Sequence, residues 1–449
     1  MVMRSILRDI WLSLGGDLLY CDRLDVTGEG ALPSAFAISD FATASIGSAA
    51  LALAEFTHVQ NVSVDRRLST FWFAKSIRPM GWSLPPQWDP IAGNYPALDG
   101  WVRLHTNAAS HRDACLRVLG CRPNPDEVRA RVAHWKAFDL QEAVVAAGGV
   151  ASQMLHCQDW LEHPQGRAVT SEPLIDIHLK DGPLLRPVGT PERPLAGLRV
   201  LDLTRILAGP IATRFLAGFG ADVLRIDPPG WEEPAVLPEV TPGKTRARLD
   251  LRDPNHLQIF HSLLKQADVL VHGLRADALD RLGLGHESRQ KLNPDLIDIS
   301  LNAYGWFGPW ASRRGFDTIV QMSTGLVATE MDVAGASSPQ NLPVQALDYG
   351  TGHMMAACVL RALSQARTDG RRTQARLSLA RTAALLSQYT ENPQTTLATQ
   401  DESDLSSRIE TTYWGQAQRL LAPFIVGEYD FHWSRMAGPL GDGEPAFAP

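Results

Sequence analysis

Two stretches of the sequence place an aspartate just ahead of a run of small residues. Asp348 lies in the stretch 346–353, and Asp40 occupies the matching position of the stretch 37–43. A carboxylate can attack an activated carbonyl group and form a covalent intermediate. It can also simply cap the helix that follows, which is the simpler role for either residue taken alone. Duplication of an aspartate–helix unit would account for the match, and so would chance.

Strands and helices alternate through the second half of the chain. Residues 198–203 predict a strand, Pro210 suits the first turn of a helix over 211–218, and residues 222–226 predict the next strand. A strand, a helix and a strand in this order imply neighbouring parallel strands. The predicted fold class is therefore α/β, with a doubly wound parallel-sheet domain and a smaller α+β domain.

The composition argues against several classes of function. A net charge of −7 and a hydrophobic content of 45% are typical of a globular protein without a nucleic-acid partner. The five cysteines form no CxxC pair, which predicts a reducing compartment and no metal site. The turn at 208–210 lacks the GxGxxG pattern, so we expect no NAD.

Membrane association is not expected either. The longest run of small apolar residues, 42–54, is too short to cross a bilayer. Residues 1–16 predict an amphipathic helix rather than a secretory signal. These patterns favour a cytoplasmic protein with no membrane partner.

Several short motifs in a fixed order carry a family resemblance. Residues 198–210, 220–227, 279–285 and 347–353 resemble the family III CoA-transferases, which include formyl-CoA and carnitine-CoA transferases and the 2-methylacyl-CoA racemases. The large domain of that family is Rossmann-like, and two of its chains interlock into a dimer. The resemblance therefore implies a Rossmann-like domain here and a homodimer, with interlocked chains as the family's arrangement.

The order of the segments differs from that family. Residues that resemble the family's small domain precede the large domain here, as in a truncated tandem fusion, so one chain could supply both domains of a site. The expected boundaries are an N-terminal helical segment with a partial repeat of the aspartate–helix unit at 1–77, a small α+β domain at 78–190, a CoA-binding domain at 194–390, and a linker with a C-terminal return segment at 391–449.

The resemblance implies a CoA-transferase that moves CoA from an acyl-CoA thioester to a carboxylic acid. It assigns Asp348 as the nucleophile, which would carry CoA as an aspartyl thioester. Coenzyme A would be the carried group, with no metal and no NAD, and the partners would be the acyl-CoA and an acceptor acid. Backbone N–H groups near Gly350 and Gly352 are candidate oxyanion donors. The residues implied to contact CoA are Leu207, Ala208, Gly209, Leu274, Arg281 and Asn302.

Some positions depart from the family pattern and keep alternatives open. Residues 92–94 offer one glycine where the family has a glycine-rich loop, and Gly273 replaces a common Asn. These changes favour, as the alternative, a non-catalytic CoA-binding or partner subunit. Phe316 stands where the racemases have a proton-transferring His, which disfavours a racemase because a phenyl ring cannot carry a proton. A lyase that acts through an acyl-CoA stage is a further alternative.

Overall fold

The computed structural model describes residues 2–275, 277–390 and 395–448. The predicted linker therefore begins outside the described residues, at 391–394. The strands are β1 Leu24–Thr27, β2 Val62–Asp65, β3 Ile77–Pro79, β4 Gly93–Pro96, β5 Trp101–Leu104, β6 Ala151–Gln153, β7 Asp176–Asp181, β8 Arg199–Leu203, β9 Asp222–Asp227, β10 Lys244–Arg248, β11 Val269–His272, β12 Ile297–Asn302, β13 Arg371–Ser378, β14 Leu405–Thr412, β15 Gly415–Leu420 and β16 Phe424–Val426.

The helices pack around these strands, with short 3-10 turns at Leu18–Arg23, Asp280–Leu282 and Glu402–Asp404. The α-helices are α1 Val2–Ser13, α2 Ile38–Thr57, α3 Arg66–Trp72, α4 Ala109–Leu119, α5 Pro125–Val132, α6 Ala137–Ala146, α7 Cys157–Glu162, α8 Pro164–Ser171, α9 Ala208–Gly218, α10 Leu237–Val240, α11 Pro254–Gln266, α12 His286–Leu292, α13 Asp317–Ser323, α14 Leu326–Val333, α15 Ala346–Thr368 and α16 Leu379–Leu386. Among the described residues, no helix is long and apolar enough to cross a membrane.

The large sheet confirms the predicted α/β fold class. Its strand order is β10-β9-β8-β11-β12-β13-β7, and all neighbours are parallel except β13 and β7. The order reverses between β8 and β11, where the two halves of a doubly wound sheet meet. A crevice opens at the carboxyl ends of the strands at such a reversal, and ligands of this fold bind there.

The small domain has its own three-stranded sheet, β4-β5-β6, which packs with α4, α5 and α6 around a separate apolar core. Strand β7 lies within the predicted 78–190 domain but forms the antiparallel edge of the large sheet. Helices α5 and α6 are separate, and Asp99 accepts a hydrogen bond at 2.8 Å from the N–H of Ala137, the first residue of α6.

The N-terminal segment resembles the end of the large domain in its arrangement. Helix α2, strand β2 and helix α3 follow one another, as do α15, β13 and α16. Strand β2 has a parallel neighbour on one side and an antiparallel neighbour on the other, and so does β13. The predicted partial repeat would produce this order of elements. The repeat and the domain boundaries remain predictions.

Helix α15 lies at the centre of the molecule and packs closely against α2 and α9. A Cβ atom on Gly350 would lie 2.2 Å from the ring of Phe41 on α2. A Cβ atom on Gly352 would lie 2.4 Å from the carbonyl oxygen of Ala208 on α9. Both glycines therefore allow a close approach of helices that any larger side chain would prevent.

Replacing Gly352 by Ala tests this contact. The new methyl group would meet backbone atoms, and overpacking of this kind lowers the free energy of unfolding by about 1–3 kcal/mol. We therefore expect the midpoint of urea unfolding to fall. Gly47→Ala on α2 is the matched control, because its methyl group would meet only the flexible end of Leu24. Both changes add the same helix propensity, so equal midpoints for the two variants would contradict the proposed role of Gly352.

Candidate functional site

A cavity of about 310 Å³ opens at the carboxyl ends of β8, β11 and β12, where the strand order reverses. We call it the strand-end cavity. The turn after β8 and the first residues of α9 form one wall, and the segment after β11 forms another. The predicted site residues among its lining are Ala208, Gly209, Leu274, Asn302 and Asp348.

Two other predicted CoA contacts lie outside this lining. Leu207 immediately precedes α9 and is 2% exposed within the main apolar core. The side chain of Arg281 is 71% exposed and pairs with Asp277 at 2.6 Å. The roles of these residues remain predictions, and the structure does not bring Arg281 to the cavity.

Four arginines that sequence reasoning did not select as a group line the strand-end cavity: Arg205, Arg275, Arg313 and Arg314. Burial lowers the pKa of Arg314, and the nearby positive charge of Arg275 lowers it further. Arg313 pairs with Glu142 at 2.9 Å, and Arg205 lies 3.9 Å from Asp227. The remaining like charges, Arg275 and Arg314, favour a ligand with negative groups, such as phosphates. The four arginines come from three separate segments, so only the fold brings them together.

Other basic residues near this part of the sequence have structural roles. Arg225 pairs with Asp227 at 2.8 Å, and Lys244 pairs with Asp202 at 3.1 Å. All four side chains are fully buried in the large domain. These cations are therefore neutralised within the protein and face no ligand.

Asp348 is the third residue of α15, and the neighbouring carboxylate of Asp317 fixes its backbone. The N–H of Asp348 donates to Asp317 Oδ2 at 2.9 Å, and the N–H of Leu347 also bonds to Asp317. The residue before the helix, Gln345, makes no side-chain cap. Asp317 therefore caps the first turn of α15, which leaves the side chain of Asp348 free of that role.

The two carboxyl groups influence each other's protonation. Burial raises the pKa of Asp348 well above its usual value, and the charge of Asp317 raises it further. Burial raises the pKa of Asp317 to about 6, although its hydrogen bonds oppose this change. Desolvation and the like charge of Asp317 therefore both oppose ionisation of Asp348, although it lies in the first turn of α15.

A second cavity, of about 200 Å³, lies between the small and large domains, and Asp348 lines it too. We call it the central cavity. Its walls include Trp88 from the small domain and Trp231 and Phe316 from the large domain, together with five acidic residues: Asp89, Glu232, Glu233, Asp317 and Asp348. Asp348 therefore stands at the junction of a cavity rich in arginine and a cavity rich in aromatic residues.

Ile206 borders both cavities in an unusual backbone conformation. Its φ angle is +64°, which is strained for a β-branched residue and costs about 1–3 kcal/mol. The carboxylate of Glu233 holds it there by accepting a hydrogen bond from the N–H of Ile206 at 2.8 Å. Strain of this kind persists where the surrounding structure fixes the backbone, and here it shapes the wall beside Asp348.

Two histidines of the small domain reach the site, and sequence reasoning missed both. His105 stacks on Phe316 with ring centroids 4.1 Å apart, and His111 packs beside the same ring at 5.8 Å. Burial lowers the pKa of His105 to about 3 and that of His111 to about 4, so both are neutral and weakly basic. The sequence separates them from Phe316 by about two hundred residues, and no local pattern marks them.

Other candidates have structural roles. Gly350 and Gly352 lie inside α15, where their N–H groups bond to the preceding turn, so they cannot serve as the suggested oxyanion donors. Gly93 begins β4 and lines neither cavity. Asp40 pairs with Arg66. His353 is buried and bonds to the carbonyl of Tyr349, as expected of a core histidine.

Comparison with known proteins gives consistent family names. The chain is 34% identical over 198 residues to the probable fatty acyl-CoA transferase Rv3272 of Mycobacterium tuberculosis, covering 41% of this chain and 50% of that protein. It is 31% identical over 194 residues to the succinyl-CoA:glutarate CoA-transferase of Homo sapiens, covering 40% and 43%. The chain spans about half the length of these curated relatives.

A solved structure of Rv3272 is also similar to part of the chain. The orthorhombic crystal form of Rv3272 matches with 33% identity and a TM-score of 0.41, covering 44% of this chain and 57% of that chain. The family model described as CoA-transferase family III matches residues 195–426, which is more than half of the chain. The resemblance found in the sequence is thereby confirmed, and the protein belongs to CoA-transferase family III.

Proposed function

We propose that this protein transfers CoA from an acyl-CoA thioester to a carboxylic acid, with Asp348 as the nucleophile. The observation that carries the proposal is the position of Asp348, which lines both the strand-end cavity and the central cavity. CoA would lie against the arginines, and the acyl group would lie among the aromatic side chains. The thioester carbonyl would then be at the junction, beside the carboxylate.

The proposed reaction exchanges one bond at a time. A carboxylate oxygen of Asp348 attacks the thioester carbonyl, and the C–S bond breaks to give a mixed anhydride and the CoA thiolate. The thiolate attacks the carboxyl carbon of Asp348 and releases the first acid as its carboxylate. The acceptor carboxylate then attacks the aspartyl thioester, which gives a second mixed anhydride and the CoA thiolate. The thiolate attacks the carboxyl carbon of the acceptor, which forms the new acyl-CoA and releases the carboxylate of Asp348. Each step conserves charge and needs no redox partner.

Both walls of the proposed site come from a single chain. Trp88 and His105 belong to the small domain that precedes the large domain, and they face Phe316 and Asp348 across the central cavity. A second copy is therefore not needed to complete these walls. The predicted homodimer remains a prediction.

Mass measurement of the covalent intermediate tests the nucleophile directly. After incubation with a panel of acyl-CoAs, we expect intact mass and peptide mapping to find CoA bound at Asp348 in the wild type and no adduct in Asp348→Asn. Asp40→Asn is the matched control, because Asp40 has the corresponding position at the start of α2 but lines neither cavity. CoA binding without any adduct would support the non-catalytic alternative instead.

The pH dependence of adduct formation tests the influence of Asp317. Asp348 must lose its proton to attack, and its pKa is raised, so the rate should increase as pH rises through that pKa. Asp317→Asn removes the neighbouring charge and keeps an oxygen that can accept the N–H of Asp348. We expect the midpoint of the rate profile to move to lower pH in this variant. An unchanged midpoint would show that the two carboxyl groups do not interact.

Titration with CoA tests which arginines bind the nucleotide. We expect Arg314→Met to raise the Kd by about 10- to 100-fold, because it removes a charged hydrogen bond inside the strand-end cavity. Arg281→Met is the control, since its side chain points into solvent beside Asp277. Calorimetry would measure the Kd of CoA for both variants. A larger loss of CoA affinity in Arg281→Met than in Arg314→Met would favour the contact implied by the resemblance.

A further inference from the structure

Arg103, on strand β5 of the small domain, is a buried cation whose side chain makes no ion pair among the described residues. It is 7% exposed, and no Asp or Glu among the described residues lies within ion-pair distance of it. Its Nη1 donates to the side-chain oxygen of Asn94 at 2.9 Å and to that of Asn341 at 3.3 Å. Its Nε is buried and has no hydrogen-bond partner among the described residues.

This environment orients the guanidinium without an ion pair, and the charge of Asp317 acts on it from beyond ion-pair distance. Amide oxygens accept hydrogen bonds but carry no net charge, and the ring of Trp88 lies 5.0 Å from the guanidinium carbon. A charge that is buried without a partner is costly, and proteins normally pair it. The planar guanidinium matches a carboxylate, which can accept two of its N–H groups at once. The site therefore suits a carboxylate ligand.

Arg103 lines a cavity of about 830 Å³, which we call the Arg103 cavity. Its lining contains a second cation, Lys75, and no Asp or Glu. Four residues line both this cavity and the central cavity, so the two spaces adjoin: Gln87, Trp88, Thr318 and Gln345. A small ligand could therefore extend from Asp348 past these residues to Arg103.

We propose that Arg103 binds the second carboxylate of a dicarboxylic acid whose first carboxylate reacts at Asp348. Asp348 does not line the Arg103 cavity, so a carboxylate against Arg103 is not itself at the nucleophile. A ligand that occupies both positions needs two carboxylates. Only the one beside Asp348 changes its bonds, and the other stays ionised throughout. This inference rests on the proposed transferase reaction and names the class of acid that it uses.

Matched pairs of acceptor acids test the inference. Succinate and butyrate have four carbons each, and glutarate and valerate have five, so each pair differs in the second carboxylate. With a fixed acyl-CoA donor, we expect the wild type to prefer the dicarboxylic acid of each pair. Arg103→Met should raise the KM for succinate and glutarate by about 10- to 100-fold, the effect of losing a charged hydrogen bond, and leave that for butyrate and valerate unchanged.

Two further variants keep the test independent of folding defects. Asn341→Asp keeps an oxygen that can accept from Arg103 and supplies an internal carboxylate, although it removes the hydrogen bond at 3.3 Å from the Asn341 amide to Gln321. It should weaken the binding of the dicarboxylic acids as Arg103→Met does. Arg129→Met is the control, because Arg129 lies over Tyr95 in the same small domain and lines none of the three cavities. Equal effects on both acids of a pair, or no effect of Arg103→Met and Asn341→Asp, would overturn the inference.

Ligand-induced thermal shifts separate this inference from the transferase proposal. Succinate should raise the melting temperature of the wild type, and butyrate should not, whether or not any transfer occurs. If succinate stabilises the wild type but not Asn341→Asp, and no acid accepts CoA, the carboxylate site stands and the transferase proposal fails. If CoA is transferred but succinate and butyrate behave alike, the transferase proposal stands and the role of Arg103 is refuted.

Discussion

The carboxylate of Asp317 connects the fold to the candidate chemistry. It begins α13 and accepts hydrogen bonds from the first turn of α15, so it fixes the start of the helix that carries Asp348. It also places a second negative group beside Asp348, which opposes ionisation of Asp348, and burial opposes ionisation of both carboxyl groups. One side chain thus sets the position and the protonation of the proposed nucleophile. A ligand that places positive charge near these groups or displaces a proton from them would change the protonation of both carboxyl groups together.

The central helix explains why this arrangement is rigid. Gly350 leaves room on α15 for the ring of Phe41 on α2, and Gly352 lets the backbone of α15 approach that of α9 at Ala208. The first turn of α15 is therefore held by the packing of its own helix as well as by Asp317. Because α9 begins at the strand-end cavity, the same contact fixes the distance between Asp348 and the turn after β8. The glycines act through packing and not through hydrogen bonds to an oxyanion.

Sequence reasoning found those parts of the site that are local in the chain. The strand, turn and helix over 198–218 have the periodicity and turn residues that fix their structure, and the reversal of strand order then places their ends beside Asp348. Arg281 was selected by a motif, but the ion pair with Asp277 draws its side chain away from the cavity. The direction of a side chain in an exposed turn cannot be predicted from the sequence alone.

The contributions of the small domain could not be predicted, because they depend on how two domains pack. His105 follows a short strand and Arg103 lies within it, and neither position differs locally from an ordinary strand residue. Their burial results from contact with Phe316, Asn341 and the segment before α15. Burial removes Arg103 from solvent without giving it an ion pair, and it lowers the pKa of His105 so that this histidine is neutral.

The charges of the site follow an order that suits a transfer reaction. Arginines surround the strand-end cavity, two carboxyl groups with raised pKa values lie at the junction, and an unpaired arginine lies beyond the aromatic residues. Negative ligands on either side would each meet positive charge, while the junction between them stays poorly solvated. Poor solvation makes a carboxylate a stronger nucleophile once it is ionised, and it keeps water from a reactive anhydride. In the proposed reaction, the elements that enclose Asp348 would therefore serve both the binding of two acids and the exclusion of water.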